Sequence, residues 1–237
     1  MTEGASRADE QEDVWKPRCL TIELLSDSTF GRGGGTAGEV DVDVDHDETG
    51  LPLINGKEIH GLLRDAWLSM SAQFGEPHNT AALSLLGAAG DLLDSAILRI
   101  GDALMPPDVR KWSRFAVNRK ARPLSADQIL RSLTDVRRQT AQSRETGAPE
   151  TTTLRAIRVV RLGSTFEAPL RWSRAPQPLE LGVLAASALA VRHGGLGRNR
   201  GKGALRITLD AAAGETNSPE RRLARTRELT NRLRDDQ

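Results

Sequence analysis

At 237 residues, with 33 Lys and Arg against 32 Asp and Glu, the chain has room for one large domain or two small ones and a formal net charge of +1. No apolar run reaches the roughly 20 residues of a membrane helix, and a single cysteine, Cys19, excludes an internal disulfide or a Cys-rich metal site. Met1 to Lys16 is polar and acidic and lacks the apolar stretch of a secretory signal, so the cytoplasm is the expected compartment.

In chain order, residues 1–17 read as a disordered lead-in. Residues 19–25 alternate enough for a strand, with Cys19 expected as a buried, inert thiol. Gly31-Arg32-Gly33-Gly34-Gly35 ends it. Val40, Val42 and Val44 then alternate with Asp41, Asp43 and Asp45, which in a strand separates valines from carboxylates. After a turn at Gly50-Leu51-Pro52, Ile59, Leu62, Leu63, Ala66, Trp67 and Met70 recur at helical spacing, and the helix start after Gly56 could face an anion. A short helix is predicted over 79–88 and a strand over 96–100. The span 107–153 is a basic insertion, helical near 125–138 and mobile over 140–153. Strands follow at 156–160 and 165–170 around Leu162-Gly163-Ser164, then a packed helix at 179–191. A second glycine-rich segment, Gly194 to Gly203, carries Arg198, Arg200 and Lys202 and leads into a strand at 204–209. Residues 214–237 are a polar tail in which Ser218 could cap a helix from Pro219.

This order of elements, two helices over a sheet, predicts an α+β domain of ferredoxin-like, RRM-like type over residues 18–213. Charge is sorted along it. Residues 39–48 carry six acids and no base, 110–174 carry fifteen bases against five acids, and 192–206 carry five bases and no acid. Such sorting fits a surface for a polyanion with an acidic spot beside it. Glycine allows backbone N–H groups close to a ligand, and interleaved Arg and Lys suit phosphate. Neither glycine segment has the P-loop or GxGxxG spacing. An EF-hand fails too, because counting from Asp41 places His46 and Pro52 where Gly and Glu are needed.

The run GGGTAGEVDVDVDHDETGLPLINGKEIHGLLR, Gly33 to Arg64, resembles the N-terminal signature of the RAMP superfamily, the repeat-associated proteins of CRISPR systems. Leu98 to Ala103, Arg137-Arg138-Gln139-Thr140-Ala141 with Arg144 to Gly147, and Gly194 to Gly203 extend the resemblance, in order, over roughly 19–210. The thumb-like region of type III backbone subunits corresponds to the basic insertion. The resemblance implies a RAMP domain that binds guide RNA (crRNA) within a type III-like effector complex. Its implied partners are complementary target RNA, other effector subunits and further copies of itself along the guide. Arg32, Lys57, Arg64, Arg137, Arg138, Arg198, Arg200 and Lys202 are the implied RNA contacts. With no Tyr and 3% aromatics, base stacking is expected to be scarce and phosphate contact dominant.

In family members that cut target RNA, an Asp precedes the Gly-Leu-Pro entry in a Val-Asp-x-x-Val setting. The resemblance therefore carries catalysis, and a divalent metal such as Mg or Mn, to Asp41, with Asp43 and Asp45 as alternatives. Two other readings stay open. One is a non-cleaving RAMP subunit capping a guide end. The other is a stand-alone guide-processing endoribonuclease that would use His60 or His193 as acid or base.

Overall fold

The computed structural model describes residues 15–31, 33–35, 38–88, 95–139, 155–198, 201–211 and 214–233. Its central sheet is built from β1 (Cys19–Leu24), β2 (Leu98–Ile100), β5 (Thr165–Trp172) and β6 (Leu205–Leu209), in the order β2-β5-β1-β6 with every pairing antiparallel. With α1 (Gly56–Met70) between the first two strands and α5 (Pro178–Ala190) between the last two, this is the β-α-β-β-α-β plan of a ferredoxin-like domain. The insertion and its sheet lie between β2 and β5.

One face of the sheet carries Leu20, Ile22, Leu24, Phe166, Ala168, Leu205, Ile207 and Leu209, all buried. Helices α1 and α5 cover it, the former through Ile59, Leu62, Leu63, Ala66 and Trp67. The apolar periodicity of α1 therefore does what a 3.6-residue repeat should. The opposite face pairs Thr21 with Glu167 and Thr208, and Glu23 with Thr165 and Arg206. No aromatic side chain stands in those registers, so the sheet lacks the stacking surface of an RRM.

Both ends of the chain join this core. Trp15 packs against it and over the Arg225 guanidinium, and the Trp172 indole N–H donates to the Pro17 carbonyl at 2.8 Å. Residues 15–17, expected as part of the lead-in, therefore belong to the folded domain, and residues 1–14 lie outside the described residues. Helix α6 (Pro219–Asn231) is capped by Ser218 as expected, but it is no tail. It packs on α5 and β6 and buries Leu229, and beyond it Leu233 is buried too. The Cys19 thiol is half-buried, and burial, with the Asp210 and Glu167 charges nearby, pushes its pKa up to about 11. It is a poor nucleophile at neutral pH, as expected.

The insertion differs most from expectation. Residues 107–118 form α3 (Pro107–Asn118), which the sequence reading missed. The predicted helix at 125–138 stops early. Its first part is α4 (Ala126–Leu133), started by a reciprocal Ser125–Gln128 capping box. The remainder is a strand, β3 (Thr134–Gln139), paired antiparallel with β4 (Arg155–Val160) in a second, two-stranded sheet. The partner strand overrides local propensity there. The strands at 156–160 and 165–170 both exist, yet they belong to different sheets. The span expected to be mobile, 140–153, lies outside the described residues.

Candidate nucleic-acid interface

The acidic run does not form a regular strand. It follows the edge of β4 through separate bridges: Asp41 N–H donates to Ala156 O at 2.8 Å, and Arg158 N–H to Val42 O at 3.0 Å. Val40 and Val44 are buried as the alternation requires, but Asp43 is buried as well. The Arg158 side chain is 4% exposed and its Nε meets Asp43 Oδ1 at 2.7 Å, while another guanidinium nitrogen reaches Glu39 at 3.1 Å. Glu39 also takes Arg131, which is held in turn by Asp127. Asp43 is thus part of a structural ion network rather than a solvent-facing candidate. Asp47 builds its own turn by accepting from the Thr49 N–H and hydroxyl and the Leu51 N–H. Asp45 lies close enough to Glu58 on α1 for its charge to raise the Glu58 pKa, after burial.

Asp41 remains exposed beside the end of the β3–β4 pair remote from Thr134 and Val160, its Oδ2 accepting the Ala156 N–H at 2.6 Å. Among the described residues no group of three His, Cys, Asp or Glu side chains is placed to hold a metal ion. Asp41 thus offers one carboxylate, already partly engaged, and does not amount to a protein-built metal site.

The second glycine-rich segment packs on residues 27–30, the run that leads into the first. Gly194 N–H donates to Gly203 O, and Leu196 N–H donates to Thr29 O at 2.8 Å. The Gly195 N–H lies near the Glu58 carboxylate and acts to lower its pKa. The Gly194 and Leu196 N–H groups, which could have cradled a phosphate, are therefore spent inside the protein. The glycines serve close packing instead. Gly195 and Gly203 adopt φ of +74° and +72°, and a Cβ at either would collide with a carbonyl oxygen, that of Thr29 or Gly194. We expect Gly203→Ala to destabilise the protein by at least about 2 kcal/mol, from left-handed strain plus the clash. Chemical denaturation checks this, and a variant as stable as the parent would show that the loop geometry is not required.

The start of α1 is likewise no vacant anion site. Asp102 Oδ1 takes the Gly56 N–H at 2.8 Å, and the Asn55 side chain takes the Lys57 N–H at 2.9 Å.

What remains for a polyanion is side-chain charge, and part of it converges on Asp27. Arg137 from β3 donates to its carboxylate at 2.7 Å, the Leu162 N–H donates at 3.1 Å, and Gly203 N–H donates to its carbonyl at 3.4 Å. Arg161 lies close enough to act on it as well. Burial alone would raise the Asp27 pKa, but the Arg137 and Leu162 hydrogen bonds outweigh it and hold the carboxyl below its ordinary range. A carboxylate so depressed stabilises the fold above its unfolded-state value near 3.8 and loses that effect as pH falls through the folded value, so the junction persists at neutral pH. The hairpin and the Leu162 turn are joined at this carboxylate and the glycine loop at the carbonyl of the same residue, which the Ser26-Asp27-Ser28-Thr29 run, as a polar junction between strand and glycine turn, could have flagged.

Of the expected RNA contacts, Arg137, Arg198 and Lys202 belong to the elements around this junction. Arg198 is 45% exposed and pairs loosely with Asp65 on α1 at 3.5 Å. It lines a cleft of about 340 Å³ with Leu62, Arg192 and His193. Arg138 neighbours Arg137 in a strand and so points to the opposite face of the hairpin. Lys57 and Arg64, seven apart, share a stripe of α1, distinct from the Glu58–Asp65 stripe that meets Arg198. Arg32 and Arg200 lie outside the described residues. His60 is half-buried, and its pKa is lowered by burial and by the Arg64 charge, although it bonds the Leu86 backbone. It is held neutral and turned into the protein, which fits an interior polar contact better than a proton donor to RNA.

The model of the RAMP superfamily matches residues 21–206. Among solved structures, a chain of a type III-B Cmr-beta complex bound to cognate target RNA shares the fold with a TM-score of 0.61 at 12% identity, covering 82% of this chain and 97% of that one. A chain of the apo Cmr-beta complex gives 0.58 at 13% identity, covering 81% and 96%. A chain of a type IV-B CRISPR complex gives 0.53 at 16%, covering 86% and 94%. No curated protein sequence matches. Among the described residues no helix is long and apolar enough to cross a membrane.

Proposed function

This chain belongs to the RAMP superfamily, and from that premise we propose that it is a guide-RNA-binding subunit of a CRISPR effector complex. The observation that carries the reading is that Arg137 and Arg161 lie at the Asp27 carboxylate while Gly203, next to Lys202, bonds the Asp27 carbonyl. Three separate basic segments of a near-neutral chain are folded onto one region. Arginine charge there, with no aromatic side chain in the described registers of the sheet face turned away from the core, favours contact to phosphate rather than to base edges. A guide-binding subunit must accept any spacer, so readout of the backbone suits the task. Solved chains of the same fold come from effector complexes, one of them bound to target RNA. Complementary target RNA, other effector subunits and further copies of this chain are the partners that follow from this reading.

Cleavage of the paired strand is a second reading, favoured by one observation. Of the three candidate carboxylates Asp41 is the exposed one, and a backbone hydrogen bond fixes it, where Asp43 is buried in an ion pair. A carboxylate held in this way can take the proton of an attacking ribose 2′-hydroxyl. The binding reading is tested by purifying the protein from cells that transcribe a repeat array. We expect co-purifying RNA of uniform length with a shared repeat-derived end. Protein that is free of RNA and fails to bind single-stranded RNA even at low salt would overturn the proposal.

A further inference from the structure

The chain has eight aromatic side chains, four Trp and four Phe with no Tyr. Six lie in the core or against it. The other two are Trp112 and Phe115, 53% and 67% exposed on α3. Three residues apart, they are neighbours on one helix face.

Helix α3 turns Val109, Ser113, Ala116 and Val117 inward: Ser113 and Ala116 are buried, the two valines pack partly buried against the core, and the Ser113 hydroxyl lies 3.0 Å from that of Thr49. It turns its two aromatics outward. A helix selected only to complete this core would bury its largest apolar side chains, so the exposed pair points to a ligand. Its surroundings indicate which kind. From Val109 to Arg122 the chain carries six bases and no acid, and Lys111 and Arg114, the immediate neighbours of Trp112 and Phe115, are exposed with them. Aromatic faces interleaved with exposed cations match a single-stranded nucleic acid, which presents rings and phosphates at the same spacing.

We infer that α3 is a nucleobase-stacking platform, with Trp112 and Phe115 under one or two unpaired bases and Lys111 and Arg114 on the adjoining phosphates. The inference rests on the guide-RNA reading and adds to it a base-contacting site on an element separate from the Asp27 junction.

The test uses a fluorescently labelled single-stranded RNA of mixed sequence and an abasic sugar–phosphate oligomer of the same length. Trp112→Ala and Phe115→Ala should each weaken RNA binding by about tenfold, leave the salt slope unchanged and leave the abasic oligomer bound as before. Trp112→Phe should retain most of the affinity. Both side chains are exposed, so the denaturation curves of the variants should overlay the parent. A double alanine variant that binds RNA like the parent, or that loses RNA and abasic oligomer equally, overturns the inference. If that variant keeps RNA but loses co-assembly with other effector subunits, the face is a protein interface and the inference is wrong. Parent protein that binds neither oligomer at low salt overturns the guide-RNA reading and this inference with it. Parent protein that binds both, with variants unchanged, overturns the platform alone.

Discussion

Asp43→Ala is expected to lower the stability of the protein by about 3–5 kcal/mol, because it strands the Arg158 guanidinium without its nearest counter-charge. The Arg158 and Asp43 side chains are 4% and 12% exposed, and their contact is 2.7 Å. Glu39 still reaches Arg158 at 3.1 Å from a more exposed position, so the loss should fall toward the lower end. Against a total of about 5–15 kcal/mol for a domain, even that is a large fraction. Asp43→Ala with Arg158→Met should recover much of the loss, since replacing both members of a buried pair by apolar groups is often near neutral. Asp41→Ala provides the contrast. Its side chain is exposed, so stability should change by about 0.5 kcal/mol or less, while cleavage of guide-paired RNA should disappear with guide binding intact. Urea titration and an RNA cleavage assay on the same preparations separate the two roles. If Asp43→Ala is as stable as the parent, the acidic run is the solvated edge that its sequence suggests. If Asp41→Ala cleaves like the parent, Asp41 is not the catalytic residue.

That contrast shows where the sequence was legible and where it was not. Wherever one face of an element meets the core, periodicity located it. The stripe from Ile59 to Met70, the strand at 19–24 and the Ser218 cap of the last helix all stand where the pattern put them. It failed where a partner from elsewhere in the chain decides. Asp43 reads as an exposed acid until β4 brings Arg158 to it across 115 positions. Thr134 to Gln139 reads as a continuing helix until the same strand pairs with it. The inward face of α3, Val109, Ser113, Ala116 and Val117, carries only short side chains while both aromatics face outward, so its inward stripe was weak. The glycines were recognised as close-approach positions, but sequence could not say that the approach is of one loop to another rather than to a ligand.

The combined variant Arg137→Ala, Arg198→Ala and Lys202→Ala is expected to weaken binding of every single-stranded RNA by a similar factor and to flatten its salt dependence. Each phosphate contact on a single strand contributes about −0.7 to the slope of log K against log salt, so losing three should flatten it by about 2. In the free protein Arg137 and Arg198 are paired with Asp27 and Asp65, but both are about half exposed. Surface pairs of that kind are worth about 0–1 kcal/mol, so a phosphate can compete for them. Arg138→Ala is the internal control, since its side chain leaves the opposite face of the hairpin and should take little from the slope if the RNA follows the Asp27 side. Lys57→Ala with Arg64→Ala examines the separate stripe on α1. An unchanged slope in the triple variant, with flattening in the Lys57 and Arg64 pair, would move the RNA path from the Asp27 junction to the exposed stripe of α1. A loss confined to one RNA sequence would be harder still to reconcile with phosphate contact, because a phosphate carries no information about the base beside it.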